Sequence, residues 1–239
     1  MNVTSGFEIL YYVFQHSNWG LTLSAKFIKN WDRKDKVSLF ERISEKVHRK
    51  PPLRERLSNS VYRLNVIQTK LEQLTRKMEQ KDRDLFNRCT EALSNGDEER
   101  AKIYANECTE IRKVIRVLLR SQLAIEQVTL RLETVREFGD VLGEMGPVAS
   151  VVHSLKGQLA GILPEVSYEL GVIGDTLNGF IVEAGEATGL SWDVEASSEE
   201  AQKILQAATA VAEHKIKESL PELPLPTTSV SHEKSSINP

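Results

Sequence analysis

Between Leu53 and Phe138 the chain contains no proline and a single glycine, Gly96. These two residues are the strongest local breakers of regular structure, so so long a stretch without them predicts very long helices joined by few turns. Leu53, Leu57, Leu64, Ile67, Leu71, Leu74, Met78 and Leu85 follow alternating steps of three and four, with Ser60 and Lys81 as polar members of the same seam. Ala101, Ala105, Cys108, Ile111, Ile115, Leu118, Ile125, Leu132 and Val135 keep the rhythm, with Gln122 filling one position. Both are heptad patterns. Between them, Gly96 is placed to end the first helix in a left-handed conformation, Asp97 to cap the second, and Glu98 and Glu99 to sit at its positive end. The expected result is an antiparallel helical hairpin over about residues 53–138, roughly 60 Å long. Val61, Val66, Val114, Leu119, Leu123 and Val128 lie off the seam, so either later helices of the same chain or neighbouring molecules must cover them.

Composition supports an all-α fold in which shorter, hinged helices follow the hairpin. Of the 239 residues, 40% are hydrophobic and only 6% aromatic, so any core is mainly aliphatic. Ten of the thirteen glycines fall between Gly139 and Gly189. Val148, Val151, Val152, Leu155, Leu159 and Ile162 mark one short amphipathic helix; Pro164 suits the first turn of the next, which continues through Val166, Leu170, Ile173, Leu177 and Phe180. Each glycine costs helix stability by roughly 1 kcal/mol relative to alanine, so Gly139, Gly143, Gly146 and Pro147, and the stretch from Gly157 to Pro164, are expected hinges. Close helix packing is the competing reading of the same residues. The stretch Gly189 to Glu200 reads as a linker. Ser197 with Glu200 makes a capping box for a final helix whose apolar face holds Ala201, Ile204, Leu205, Ala208, Val211 and Ala212, ending near Ser219.

The net charge of -3 conceals a division. Residues 26–56 hold eleven Lys/Arg against five Asp/Glu and residues 57–132 fourteen against eleven, whereas residues 133–223 hold five against sixteen. The basic and acidic halves should attract each other or seek partners of opposite sign. Within the basic half, Lys26, Phe27, Ile28, Lys29, Trp31, Arg33, Lys34 and Lys36 alternate cations with apolar residues, a pattern suited to an anionic membrane surface. Nucleic acid is a weaker reading, because the acidic half would repel a wrapped polyanion, and a solvated helix face is a third. The run Ile9 to Phe14 is too short to span a bilayer at about 20 residues, and the first residues lack the basic region of a signal peptide. A cytoplasmic protein is expected. Cys89 and Cys108 match no zinc or redox spacing and fall on apolar seams, which predicts buried, inert thiols. No phosphate loop, metal cluster or nucleophile elbow is found, and the five histidines are scattered, so catalysis, cofactor and metal are all disfavoured.

After the last helix stands "SLPELPLP", Ser219 to Pro226. Prolines at this spacing prevent helix and favour an extended segment that loses little entropy on binding, with Leu220, Leu223 and Leu225 as apolar anchors; a simple helix stop is the plainer alternative. A Ser/Thr-rich tail, residues 227–239, is expected to be disordered.

The order of parts resembles the ESCRT-III family, in its archaeal CdvB-like cell-division branch, over about residues 25–226. The resemblance rests on "FIKNWDRKDKVSLFERI" at Phe27 to Ile43, "PPLRERL" at Pro51 to Leu57, "EFGDVLGEMGPV" at Glu137 to Val148 and the terminal "LPELP". It implies an ESCRT-III-like core over residues 25–188, a linker and mobile acidic helix over 189–218 and a proline-rich motif over 219–226. Leu220, Pro221, Leu223, Pro224 and Pro226 would then dock on the MIT domain of a partner AAA ATPase, CdvC. It also implies a membrane-associated homo-polymer, co-assembling with paralogues on the inner face of the cell membrane at the division site. The chain ends without the winged-helix domain of the longest archaeal members, which points to a shorter paralogue, and residues 1–24 match nothing in the family. Two other classes fit the same residues: a non-polymerising coiled-coil adaptor between a membrane and an MIT-type receptor, and a phage-shock-type membrane-stress scaffold, which would not need the proline–leucine motif.

Overall fold

A computed structural model describes residues 51–138, 145–188 and 194–224. Its described residues form helices α1 (Leu53–Ser94), α2 (Glu98–Phe138), α3 (Met145–Leu159), α4 (Pro164–Thr188) and α5 (Val194–Ser219), with no strand among them. The all-α class and the long hairpin are as the sequence requires.

The turn between α1 and α2 is built as its residues dictate. Gly96 has φ +74°, the Gly96 N–H donates to the Leu93 carbonyl at 3.0 Å and the Asp97 N–H to the Ala92 carbonyl at 2.9 Å, which closes α1 in a Schellman motif. The Asp97 carboxylate then accepts from the Arg100 N–H at 3.1 Å and opens α2. Around this tip the packing residues are small, Cys89, Ala92, Ala101 and Ala105, so the two helices meet closely without help from elsewhere.

Away from the tip the hairpin is covered. Leu57, Leu64, Ile67 and Leu71 of α1 and Leu118, Ile125, Val128 and Leu132 of α2 join one core with α3, α4 and the first half of α5. α3 and α4 form a second, shorter antiparallel pair. Their turn is closed by hydrogen bonds from the Ile162 and Leu163 N–H groups to the Leu159 carbonyl, at 3.0 and 2.8 Å, and by the Ser167 hydroxyl donating to the Lys156 carbonyl at 2.9 Å. α4 packs against α1, and α5 packs against both α2 and α3. Val61, Leu119 and Val128 are thereby buried, Val114 and Leu123 half-buried, while Val66 stays exposed. Val66 apart, the cover for the off-seam residues comes from the same chain.

Three details differ from expectation. Lys81 is exposed, and the seam of α1 runs through Thr75 and the fully buried Asp82 instead. A helix of about 3.6 residues per turn drifts against a strict heptad, so over four turns the neighbouring position rotates inward. α5 begins at Val194, about one turn before the Ser197–Glu200 capping box, which therefore lies inside the helix. There Ser197 packs against Gly146 of α3 and Glu200 pairs with Arg131 of α2 at 2.7 Å, so tertiary partners take both side chains that would have capped it. Val211 is exposed, since the buried stripe of α5 is narrower than expected: Ala201, Ile204, Ala208, Ala212 and Ile216. Alanines in this stripe let α5 lie close against the hairpin.

Candidate functional site

The site with most chemistry lies where the end of α5 meets the middle of the hairpin. Ile111, Ile115 and Leu119 line one face of α2 at helical spacing, and α5 brings Ala212, Ile216 and Leu220 against them. Met78 and Leu85 of α1 pack from the other side. Leu220 is only 7% exposed. Pro221 and Glu222 are exposed and Leu223 and Pro224 half-buried, so the chain turns outward after Leu220. Proline removes the N–H that a further helical turn would need, which is why α5 stops here.

Beside this apolar slot stands a buried ion pair. Asp82 of α1 has no exposed surface, and Arg112 of α2 grips it with two parallel hydrogen bonds, Nε to Oδ1 at 2.7 Å and Nη2 to Oδ2 at 3.0 Å. Such a fork satisfies a carboxylate in a way a lysine could not. The guanidinium has further N–H groups to give, and Nη1 donates to the Pro221 carbonyl at 2.8 Å. Sequence reading missed this pair, because a lone Asp in a seam carries no signal by itself. The signal lay in the hairpin's symmetry, for Asp82 and Arg112 stand at similar distances on either side of Gly96. Cys108 is close by, its thiol directed at the Asp82 carbonyl at 3.8 Å. Burial, with the Asp82 charge adding, pushes that thiol up to about 11, and burial raises Cys89 as well. Both cysteines are free and buried, as expected of inert thiols.

The division of charge also becomes geometry. Arg56 pairs with Glu183 through both carboxylate oxygens at 2.7 and 2.9 Å and stacks on the Phe180 ring at 4.7 Å. Arg63 pairs with Glu169, Arg116 with Glu213 at 2.6 Å and Arg131 with Glu200 at 2.7 Å. Each of these four joins an arginine of the basic half to a glutamate of the acidic half.

Of the residues singled out from sequence, Leu220 and Pro221 are brought to the hairpin, with Leu223 and Pro224 just beyond it. Gly146 and Pro147 lie in the first turn of α3, where Pro147 is buried and Gly146 faces Ser197. The membrane-facing set Lys26, Phe27, Ile28, Lys29, Trp31, Arg33, Lys34 and Lys36 lies outside the described residues, as do Gly139, Gly143, Pro226, residues 1–24 and the tail. Among the described residues no helix is long and apolar enough to cross a membrane.

No protein-family profile matches the chain, and no solved structure does. Curated proteins do, among them two from Sulfolobus acidocaldarius. The chain is 41% identical to cell division protein B1 over 202 residues, 84% of this chain and 91% of that protein. It is 35% identical to cell division protein B over 199 residues, 83% of this chain and 71% of that protein. Identity at this level, over most of the length of each, is far more than a shared helical rhythm would produce, and this chain therefore belongs to the CdvB-like family of cell division proteins.

Proposed function

We propose that this protein is a polymer-forming scaffold that assembles on the inner face of the cell membrane during cell division and drives its constriction or scission. It acts without an active site, and a partner AAA ATPase disassembles it by engaging the proline-rich motif through an MIT domain. The observation that carries this reading is the placement of α5. It covers apolar residues of α2 and α3 that the hairpin cannot bury by itself, with a narrow stripe of alanine and isoleucine. Detaching one helix would expose a long apolar face along the hairpin, complementary to another copy of the chain, while the hairpin retained its own seam. The charge division supports the same device, because the arginines freed from Glu200 and Glu213 could pair with neighbouring copies.

The test compares the full chain with a version ending at Ser191, each sedimented and imaged with and without anionic liposomes. The truncated chain is expected to form filaments or coat liposomes while the full chain stays largely in the supernatant. If both stay small at every concentration and neither binds lipid, the polymer reading fails and the adaptor takes its place.

A further inference from the structure

The outer face of α4 combines exposed apolar side chains with acids that hold no cation. The inner stripe of this helix, which includes Leu170, Ile173, Leu177 and Phe180, is buried. Tyr168, Asp175, Val182 and Glu186 stand on the opposite side, at spacings of seven, seven and four residues that keep to one face of a helix. Tyr168 is 72% exposed and Val182 59%, so neither is held by the core. α4 carries five Asp/Glu and no Lys or Arg. Arg63 and Arg56 of α1 take Glu169 and Glu183. Asp175 and Glu186 are exposed and form no ion pair among the described residues, although Lys156 of α3 rests on Gly171, one turn before Asp175. Glu186 also stands near the negative end of the helix dipole, where a cation is favoured and the last turn of α4 supplies none.

The same chain holds a segment of complementary chemistry, and the fold brings its point of attachment to this face. Residues 26–36 carry Lys26, Lys29, Arg33, Lys34 and Lys36 against two aspartates, with Phe27, Ile28 and Trp31 set between them. The chain that carries them enters the described residues at Pro51, just before α1. The Arg56–Glu183 pair, at 2.7 Å, puts the last turns of α4 beside that first turn of α1. Residues 37–50 span about 46 Å when extended and about 21 Å as a helix, against about 37 Å for the whole of α4, so residues 26–36 can reach its outer face. We propose that residues 26–36 of this chain dock there, with their cations on Asp175 and Glu186 and their apolar side chains on Tyr168 and Val182. A second copy offers the same cations, but the tether gives the chain's own segment an effective concentration on the order of millimolar. A consequence rests on the function proposed above. The docked residues are the ones suited to an anionic membrane, so α4 and the membrane compete for one segment, and docking lowers the apparent membrane affinity by reducing the fraction of chains with that segment free.

Photocross-linking in the purified full chain tests the docking. p-Benzoylphenylalanine replaces Tyr168 in one variant and Val182 in a second, both exposed and outside the core, and replaces Ile103 near the hairpin tip in a control. Adducts formed in dilute solution are sorted by mass and mapped by peptide sequencing. The expected product is an adduct within one chain between either α4 position and residues 26–36, with none to that segment from position 103. Lys29→Glu with Lys34→Glu should lower its yield by about fivefold or more, since two ion pairs give way to repulsion, and adding Asp175→Lys with Glu186→Lys should restore most of it. Adducts only to a second copy, a yield indifferent to both charge reversals, or no adduct to the segment from either α4 position each overturn the docking. A second arm adds vesicles of phosphatidylglycerol or of phosphatidylcholine. Competition predicts that the anionic vesicles lower the wild-type yield several-fold and the zwitterionic ones leave it unchanged. An unchanged yield on anionic vesicles that do bind the chain overturns the competition and assigns membrane binding to other residues. No binding to either vesicle overturns the membrane reading alone, and the charge reversals then decide the docking.

Discussion

Gly146 shows how much can turn on the absence of one methyl group. It stands in the first turn of α3, and a Cβ added there would lie 2.5 Å from the Ser197 hydroxyl oxygen and 3.2 Å from its Cβ. Sequence reading expected a hinge at this residue or a close packing point, and Gly146 is closely packed against Ser197 where α5 starts. Gly146→Ala should destabilise the docking of α5 by about 1–3 kcal/mol, the usual cost of overpacking a fitted contact. Ser197→Gly, which removes both opposing atoms, should cost under about 1 kcal/mol alone and recover most of the loss in the double variant. Denaturation of the four proteins completes the cycle, and strictly additive losses would mean that the two residues do not meet. Individual contacts of this kind were the least legible feature of the sequence. Ser197 was visible as a capping residue and Lys81 as a seam member, since both readings use only local spacing. Asp82 paired with Arg112, and Leu220 seated on α2, depend on residues distant in the chain that meet only once both arms and α5 have packed.

Whole helices were far easier to foresee, because their causes are local. The ends of α1 and α2 follow from Gly96 and Asp97, α4 starts at Pro164 where proline is preorganised for a first turn, and α5 stops where prolines begin. The start of α5 was placed late because its first turn is held by α3 rather than by a cap. The connection between α3 and α4 separates two explanations of the glycine-rich half. Gly157 lies in the last turns of α3, exposed, with nothing within 4 Å of where a Cβ would be. No close packing calls for glycine there, so its effect is on the helix alone. Gly157→Ala is expected to raise the stability of the protein by about 0.5–1 kcal/mol through helix propensity and the less flexible unfolded chain. If α3 must also bend or extend for assembly, the same substitution slows filament formation by the truncated chain while it stabilises the monomer. Higher stability with unchanged assembly would assign Gly157 no part in opening, and lower stability would contradict the open space around it.

At the scale of the molecule, the division of charge is what decides which packing is most sensitive to conditions. The hairpin is closed by an aliphatic seam and the buried Asp82–Arg112 pair, neither of which salt reaches easily. The acidic half is attached to it by Arg56–Glu183, Arg63–Glu169, Arg116–Glu213 and Arg131–Glu200, all partly exposed to solvent. An exposed pair contributes no more than about 1 kcal/mol and is screened over a Debye length of about 10 Å at 0.1 M salt. Two of them, Arg116–Glu213 and Arg131–Glu200, hold α5, whose stripe is made largely of alanine, and the other two hold α4 to α1, so charge forms a larger share of α5's attachment than of the hairpin's. Raising sodium chloride from about 0.05 M to about 0.5 M should therefore speed hydrogen exchange in α5 by several-fold, with the amides of α1 and α2 near the tip changing little. The direction was readable from the two halves of the sequence, but which arginine finds which glutamate was not, because exposed charges obey no periodicity. Uniform acceleration along the whole chain would show that the halves unfold as one unit. Exchange in α5 that ignores salt would assign its attachment to the apolar stripe and Leu220 alone, and the pairs of Arg116 and Arg131 would then contribute nothing to holding α5 in place.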